Sequence, residues 1–268
     1  MITFVFYVLI ISLVVFVIFG FNQKDSFRDI FEFVPNHYLF LIDSNNKLLF
    51  KKNESWKKAL PSDLRLKSIS QTKIGIWGTT TNNDIVYALR QEDAASGNWR
   101  RVNGYGNMIC ASHSGDDIWL IAPDKKLYHR TRVDEYWRYM NTEADHISVG
   151  ANGLNIWIIK NNKIYYAHDI EHVIYKDWTL FPGIMDQIEV SSYGDLVVGL
   201  WHNKFFFRWI NPTCISTPWT NAKLPSFKRI GFTHRLWGEI YGIKTNGTLV
   251  FLNFNGKKWI VSNKKIFI

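Results

Sequence analysis

One tryptophan recurs along this chain at nearly constant spacing: Trp56, Trp99, Trp137, Trp178, Trp219 and Trp259, with gaps of 43, 38, 41, 41 and 40 residues. Upstream of each lies a turn dipeptide: Asn45-Asn46, Asn82-Asn83, Pro123-Asp124, Asn161-Asn162, His202-Asn203 and Asn246-Gly247. Asn, Asp and Gly tolerate the left-handed backbone of a tight hairpin, so each pair reads as a hairpin loop. A short strand ending in an aromatic follows each turn: Leu48–Phe50, Ile85–Tyr87, Leu127–Tyr128, Ile164–Tyr166, Phe205–Phe207 and Leu249–Phe251. Another strand precedes it, clearest at Ile76-Trp77, Ile118-Trp119 and Ile156-Trp157. A further strand opens each unit: Ile30–Val34, Leu66–Ser70, Met108–Ala111, Ile147–Val149, Ile188–Ser191 and Ile230–Phe232.

Four short strands in a unit repeated six times predict an all-β fold, a six-bladed β-propeller of four-stranded blades. A lone blade cannot bury both of its faces. Radial stacking lets each blade cover the next and leaves only short edges. The recurrent Trp residues are then wedges between blades. Composition agrees, with 16% aromatic residues, twelve Trp and no long stretch of helical periodicity.

The pattern is sharp in units two to four, and units three and four together read Ile118-Trp119, Leu127-Tyr128, Trp137, Ile147-Ser148-Val149-Gly150, Ile156-Trp157 and Ile164-Tyr165. This order resembles tectonin repeats, over about residues 28 to 260. Units one, five and six depart from it, with Leu41 or Phe40, Val198 and Tyr241 at the second-strand Trp position. The resemblance implies a six-bladed propeller and, for many relatives, a lectin for surface glycans or bacterial lipopolysaccharide; other relatives work in membrane-trafficking complexes. The Gly-His and Trp-Asp signatures of WD40 repeats and the Gly-Gly pairs of kelch repeats are absent.

Ahead of the repeats, Ile2 to Phe21 has no charged residue and is long enough to cross a bilayer as a helix. The start lacks a basic residue and Phe19-Gly20-Phe21 is a poor cleavage context, so an uncleaved anchor over residues 1–21 is expected. A short linker (22–27) and the propeller (28–268) follow. Lys24 and Arg28 are offset by Asp25 and Asp29, leaving the side of the membrane open. The sequons at Asn53 and Asn246 do not settle it. Cys110 and Cys214 form neither a metal-ligand pair nor a disulfide framework.

No motif for metalloprotease, phosphate-binding or hydrolase chemistry is present, so an enzyme is not expected, nor a cofactor or a metal. His168 and His172 read as part of a solvated loop, and Asp116-Asp117 as a turn pair. Three Trp residues fall outside the repeat: Trp201, Trp209 and Trp237. A large aromatic that the fold does not need is a binding candidate. Trp237 precedes the second strand of unit six and Trp209 follows the third strand of unit five. Both should therefore lie on one face of the ring, with His234 and Arg235 beside them and Trp201 as a further candidate.

The net charge of +9 is uneven. From Lys223 to Lys265 there are nine Lys or Arg and one acid, and from Lys47 to Lys73 eight against two. Units six and one become neighbours on ring closure. Lys51, Lys52, Lys57, Lys58, Lys257, Lys258, Lys264 and Lys265 would then form a basic sector suited to an anionic membrane surface. Nothing interleaves stacking aromatics with bases in the way nucleic acid requires. The leading expectation is anchored, non-catalytic recognition of a surface glycan or lipid headgroup. The alternative is a docking platform for protein partners in a membrane-associated assembly such as an organelle coat or a virion.

Overall fold

The computed structural model describes residues 38–43, 45–52, 55–61, 63–132, 136–150, 153–191, 194–210, 218–232, 240–254 and 258–267, without the side chains of Ser55 and residues 262–267. From Leu39 onward they form one compact unit of six antiparallel sheets. The first blade holds β1 (Leu39–Ile42), β2 (Leu48–Lys52) and β3 (Ser55–Lys58). The second holds β4 (Leu66–Gln71), β5 (Ile76–Thr80), β6 (Asp84–Ala88) and β7 (Arg100–Tyr105). The third holds β8 (Met108–Ala111), β9 (Asp117–Ile121), β10 (Lys126–Thr131) and β11 (Arg138–Glu143). The fourth is β12 (His146–Val149), β13 (Ile156–Lys160), β14 (Lys163–Ala167) and β15 (Thr179–Ile184). The fifth is β16 (Gln187–Val190), β17 (Leu196–Trp201), β18 (Lys204–Trp209) and β19 (Thr220–Asn221). The sixth is β20 (Phe227–Phe232), β21 (Ile240–Lys244), β22 (Thr248–Phe254) and β23 (Trp259–Phe267). Within each blade the strands pair in sequence order, which gives the six-bladed propeller expected from the repeat. The expected innermost strand Ile30–Val34 and the expected anchor lie outside the described residues. Among the described residues no helix is long and apolar enough to cross a membrane.

The core is a set of slabs between blades. Trp77, Ile85, Ile109, Ala111, Ile118 and Leu120 fill the seam between blades two and three. Trp119, Leu127 and Met140 meet Ile147, Ile156 and Ile158 between three and four. Trp157, Ile164 and Phe181 meet Ile188 and Val197 between four and five. Val198, Leu200 and Phe205 meet Phe227, Ile230, Val250 and Trp259 between five and six. Alternation along each strand sends successive side chains into opposite seams, so both faces of a blade are apolar.

The second-strand position pairs across to an aromatic ring in almost every blade. Phe40 lies opposite Phe50, Trp77 opposite Tyr87, Trp119 opposite His129, Trp157 opposite Tyr166, Val198 opposite Phe207 and Tyr241 opposite Phe251. The register settles the first blade in favour of Phe40 over Leu41. It also corrects the third, where His129 takes the place expected for Tyr128 and lies 4.6 Å, centroid to centroid, from Trp119. The late-strand Trp residues differ from the expected buried wedges. Only Trp259 is buried, and Trp56, Trp99, Trp137, Trp178 and Trp219 are half-buried. The deepest wedges are Trp77, Trp119 and Trp157.

Glycines hold the blades close where no side chain fits. Gly115, Gly153 and Gly194 sit at φ +82°, +74° and +74° in the connections from first to second strand. A Cβ there would meet Thr72, Asp117 and Asn155 of the preceding blade at 3.0, 2.3 and 2.0 Å. Inner strands are stitched to one another by side chains. Ser70 Oγ accepts from Ala111 N at 2.8 Å, and Ser148 Oγ accepts from Val190 N at 3.0 Å. Gln187 donates to Ile230 O at 2.6 Å and accepts from Ile230 N at 3.2 Å. These bonds use the unpaired edge of each inner strand and fix how the next blade sits.

Candidate functional site

Every blade has two ends. Hairpins between second and third strands, together with the blade-to-blade connections, lie at one end; the remaining connections make the other, the loop face. Trp209 closes β18 at the loop face, 42% exposed, with its ring 5.5 Å from that of Phe254. Trp201 ends β17 at the hairpin beside Lys204, stacked on His202 at 4.0 Å. These two candidates are therefore at opposite ends of blade five. Trp237, His234 and Arg235 lie outside the described residues.

The loop face carries further aromatics that the repeat pattern does not single out. Tyr136, in the last connection of blade three, is 81% exposed. Tyr175, in the same connection of blade four, is 80% exposed. Leu89 and Leu154 are also exposed there. Tyr175 is held out by a five-residue helix, α2 (Ile170–Ile174), which replaces the expected loop; α1 (Gln91–Ser96) occupies the equivalent connection of blade two. Asp169 caps α2, accepting from His172 N at 3.0 Å, and its carboxylate lies 2.7 Å from His172 Nδ1. That contact holds Asp169 below, and His172 above, the usual range. His168 turns away to Tyr166 Oη at 3.2 Å. The two histidines are thus spent on local bonds, and no metal-holding cluster of three His, Cys, Asp or Glu occurs among the described residues. Of the expected turn pair, Asp117 is the first residue of β9 and lies 3.0 Å from His129 Nε2.

A second constellation lines the axis, where the inner strands of successive blades adjoin. Aligned by register, one position of these strands reads Ser70, Cys110, Ser148, Glu189 and Gly231, and the position two residues earlier reads Ser68, Met108, His146, Gln187 and Arg229. Ionisable groups therefore concentrate in blades four to six. Glu189 Oε1 accepts from Gln187 Nε2 at 2.9 Å, and Oε2 accepts from Ser148 Oγ at 3.2 Å. His146 Nε2 lies 3.8 Å from Glu189 Oε1. Burial pushes Glu189 up to about 7, against the two hydrogen bonds, and brings His146 down to about 4, aided by the Arg229 charge. Tyr241 spans the space over Gly231, where a Cβ would meet its hydroxyl at 2.4 Å. Its phenol is raised by burial and by Glu189. Cys110 is pushed up to about 12, by burial and then by the Glu189 charge, so its thiol stays protonated and unreactive. Sequence reasoning missed this cluster because it breaks the repeat. The signal is in the six-unit alignment, as charged residues at positions that elsewhere hold Ser, Cys or Met.

The lysines assigned to a basic sector are spread over two blades. Lys51 and Lys52 are half-buried in β2, and Lys57 and Lys58 are exposed on β3. Lys258 is exposed before β23, whose backbone includes Lys264 and Lys265; Lys257 lies outside the described residues.

Residues 35–138, which run through blades one and two and into the outer strand of blade three, match the family model of the Tectonin domain. Blades four to six repeat the same register. That match and the six blades together support a tectonin-repeat β-propeller. No curated protein matches it. Among solved structures this propeller is similar to YCF48 bound to D1 peptide, at 13% identity and TM-score 0.51, over 85% of this chain and 79% of that one. It is also similar to YCF48 from Cyanidioschyzon merolae, at 12% identity and TM-score 0.53, over 84% and 80%. PorZ, a bacterial surface component of the type-IX secretion system of Porphyromonas gingivalis, matches at 11% identity and TM-score 0.46, over 88% of this chain and 34% of PorZ.

Proposed function

We propose that this propeller is a non-catalytic recognition module that docks a protein partner on its loop face, tethered to a membrane by residues 2–21. The observation that carries the reading is the row of solvent-facing rings, Tyr136, Tyr175 and Trp209, on one face of three successive blades. None is needed by the repeat, and isolated Tyr and Trp side chains of this exposure are typical anchors of protein interfaces. The inter-blade slabs make that face a rigid platform, so partner binding loses little to reordering. YCF48, of the same fold, is bound to D1 peptide in its solved structure, which supports peptide docking by a propeller of this size. A surface glycan or lipid headgroup is the second reading, favoured by the same exposed rings, which stack on sugars, and by the exposed Lys57, Lys58 and Lys258.

The test is a pair of arrays, peptide and glycan, probed with the full-length protein and with a Tyr136→Ala, Tyr175→Ala, Trp209→Ala variant. Peptide binding that disappears in the variant supports protein docking, and glycan binding that disappears supports the second reading. Signals that persist in the variant exclude the loop face.

A further inference from the structure

The carboxylate of Glu189 is short of partners for its place in the molecule. It sits on β16, the innermost strand of blade five, with 22% of its side chain accessible, and it receives two hydrogen bonds, from Gln187 and Ser148. A carboxylate offers about four acceptor sites, so roughly half its capacity is unused. No Lys or Arg nitrogen among the described residues approaches within 4.0 Å of it. A desolvated carboxylate is ordinarily either paired with a cation or protonated.

The groups packed around it do not supply the missing charge. His146 of β12 is held neutral by burial, and its Nδ1 has no hydrogen-bond partner. From β8 comes the Cys110 thiol, protonated, and from β21 the Tyr241 phenol, also protonated. Arg229 of β20 is exposed and acts on His146 and Tyr241 without forming an ion pair with Glu189. The surroundings therefore offer hydrogen-bonding groups and one partly accessible carboxylate.

We propose that the inner-strand surface of blades four to six is a binding site for an organic cation, an alkylammonium or guanidinium group seated on Glu189 between Ser148 and Gln187. Such a group donates charge-assisted bonds to the free lone pairs and replaces the water that Glu189 lost on folding. A small metal ion fits less well, since a single carboxylate supplies too few ligands. The cation can be a free polyamine or the Lys or Arg side chain of a partner reaching that surface. This site is independent of the loop-face reading and survives its failure.

The experiment is calorimetric titration of the full-length protein with two probes, spermidine and a capped Gly-Gly-Arg-Gly-Gly peptide, at pH 8 and pH 5.5. Binding of either probe at pH 8, weakened roughly tenfold or more at pH 5.5 as Glu189 takes up a proton, is the expected result. The probe that binds identifies the source. Glu189→Gln, nearly isosteric, must abolish the binding while leaving the far-ultraviolet circular dichroism unchanged. Arg229→Gln must leave it intact or strengthen it. Absence of binding at pH 8, binding unaffected by Glu189→Gln, or binding seen only after removal of Arg229 would overturn the proposal.

Discussion

Trp137 Nε1 in blade three donates to the carbonyl oxygen of Asn103 in blade two at 2.8 Å. The same bond recurs two blades on, where Trp219 Nε1 donates to Pro182 O at 3.0 Å. In both places the next residue is a glycine at high positive φ, Gly104 at +116° and Gly183 at +110°, inside a bulge of the outer strand. A Cβ on either glycine would meet the indole at 3.1 Å. In blades three and five the late Trp is thus a latch on the outer strand of the preceding blade, closing over a glycine, whereas the indole nitrogens of Trp56, Trp99, Trp178 and Trp259 make no such bond.

Removing the latch should cost less than removing a deep wedge. Trp119→Ala and Trp157→Ala empty the centre of a seam and should cost about 3–5 kcal/mol. Trp137→Phe keeps most of the packing but loses the bond to Asn103, for about 1 kcal/mol. Gly104→Ala should cost at least roughly 1 kcal/mol through backbone conformation and indole contact. Urea unfolding of the four variants measures the order; equal losses for Trp137→Phe and Trp119→Ala would remove the distinction between latch and wedge.

The inner-strand cluster should leave opposite pH signatures. Glu189 has a folded-state pKa of about 7, above its ordinary 4.5, so its contribution to stability is complete below pH 4.5 and is lost as pH rises to 7. His146 is lowered from 6.5 to about 4, so its contribution is complete above pH 6.5 and is lost as pH falls to 4. In the native protein the two trends oppose each other. Glu189→Gln should gain stability relative to the native chain as pH rises from 4.5 to 7, by up to about 1.4 kcal/mol per pH unit. His146→Gln should gain relative to it as pH falls from 6.5 to 4. Unfolding midpoints from pH 4 to 8 read both slopes, and parallel curves for all three proteins would contradict the assignment.

Much of the fold was legible because it repeats. Turn dipeptides and apolar strands recur in phase, and Met108–Ala111 is matched residue for residue by β8. What stayed illegible is what departs from the repeat. A reading that weighs Trp recurrence gives depth to Trp137 and Trp178, although depth belongs to the second-strand Trp119 and Trp157. The Gly104 and Gly183 bulges need three-dimensional register to be seen, and so does the exchange of Tyr128 for His129. The exposure of Tyr136 and Tyr175 depends on loop and helix placement that no periodicity encodes. Glu189 and His146 are single residues whose meaning arises only when neighbouring blades bring them within 3.8 Å.

For the proposed membrane-facing sector, the exposed Lys57, Lys58 and Lys258 give a restricted test. Each Lys near an anionic leaflet contributes roughly 1 kcal/mol, decaying over a Debye length of about 8–10 Å. A chain lacking residues 1–24 should co-sediment with phosphatidylserine vesicles at low salt and be released at high salt. Changing the three lysines to Glu should abolish the effect. Retention in that variant would mean that these lysines are ordinary solvated surface.

The central claim is that recognition happens on the loop face. Hydrogen–deuterium exchange of the full-length protein, with and without the strongest peptide from the array, tests it most directly. The account predicts new protection in the connections of residues 112–116 and 168–178 and at the end of β18 near Trp209, with the hairpins at Asn82-Asn83 and Asn161-Asn162 unchanged. Protection confined to those hairpins, with the loop connections unaltered, would contradict it.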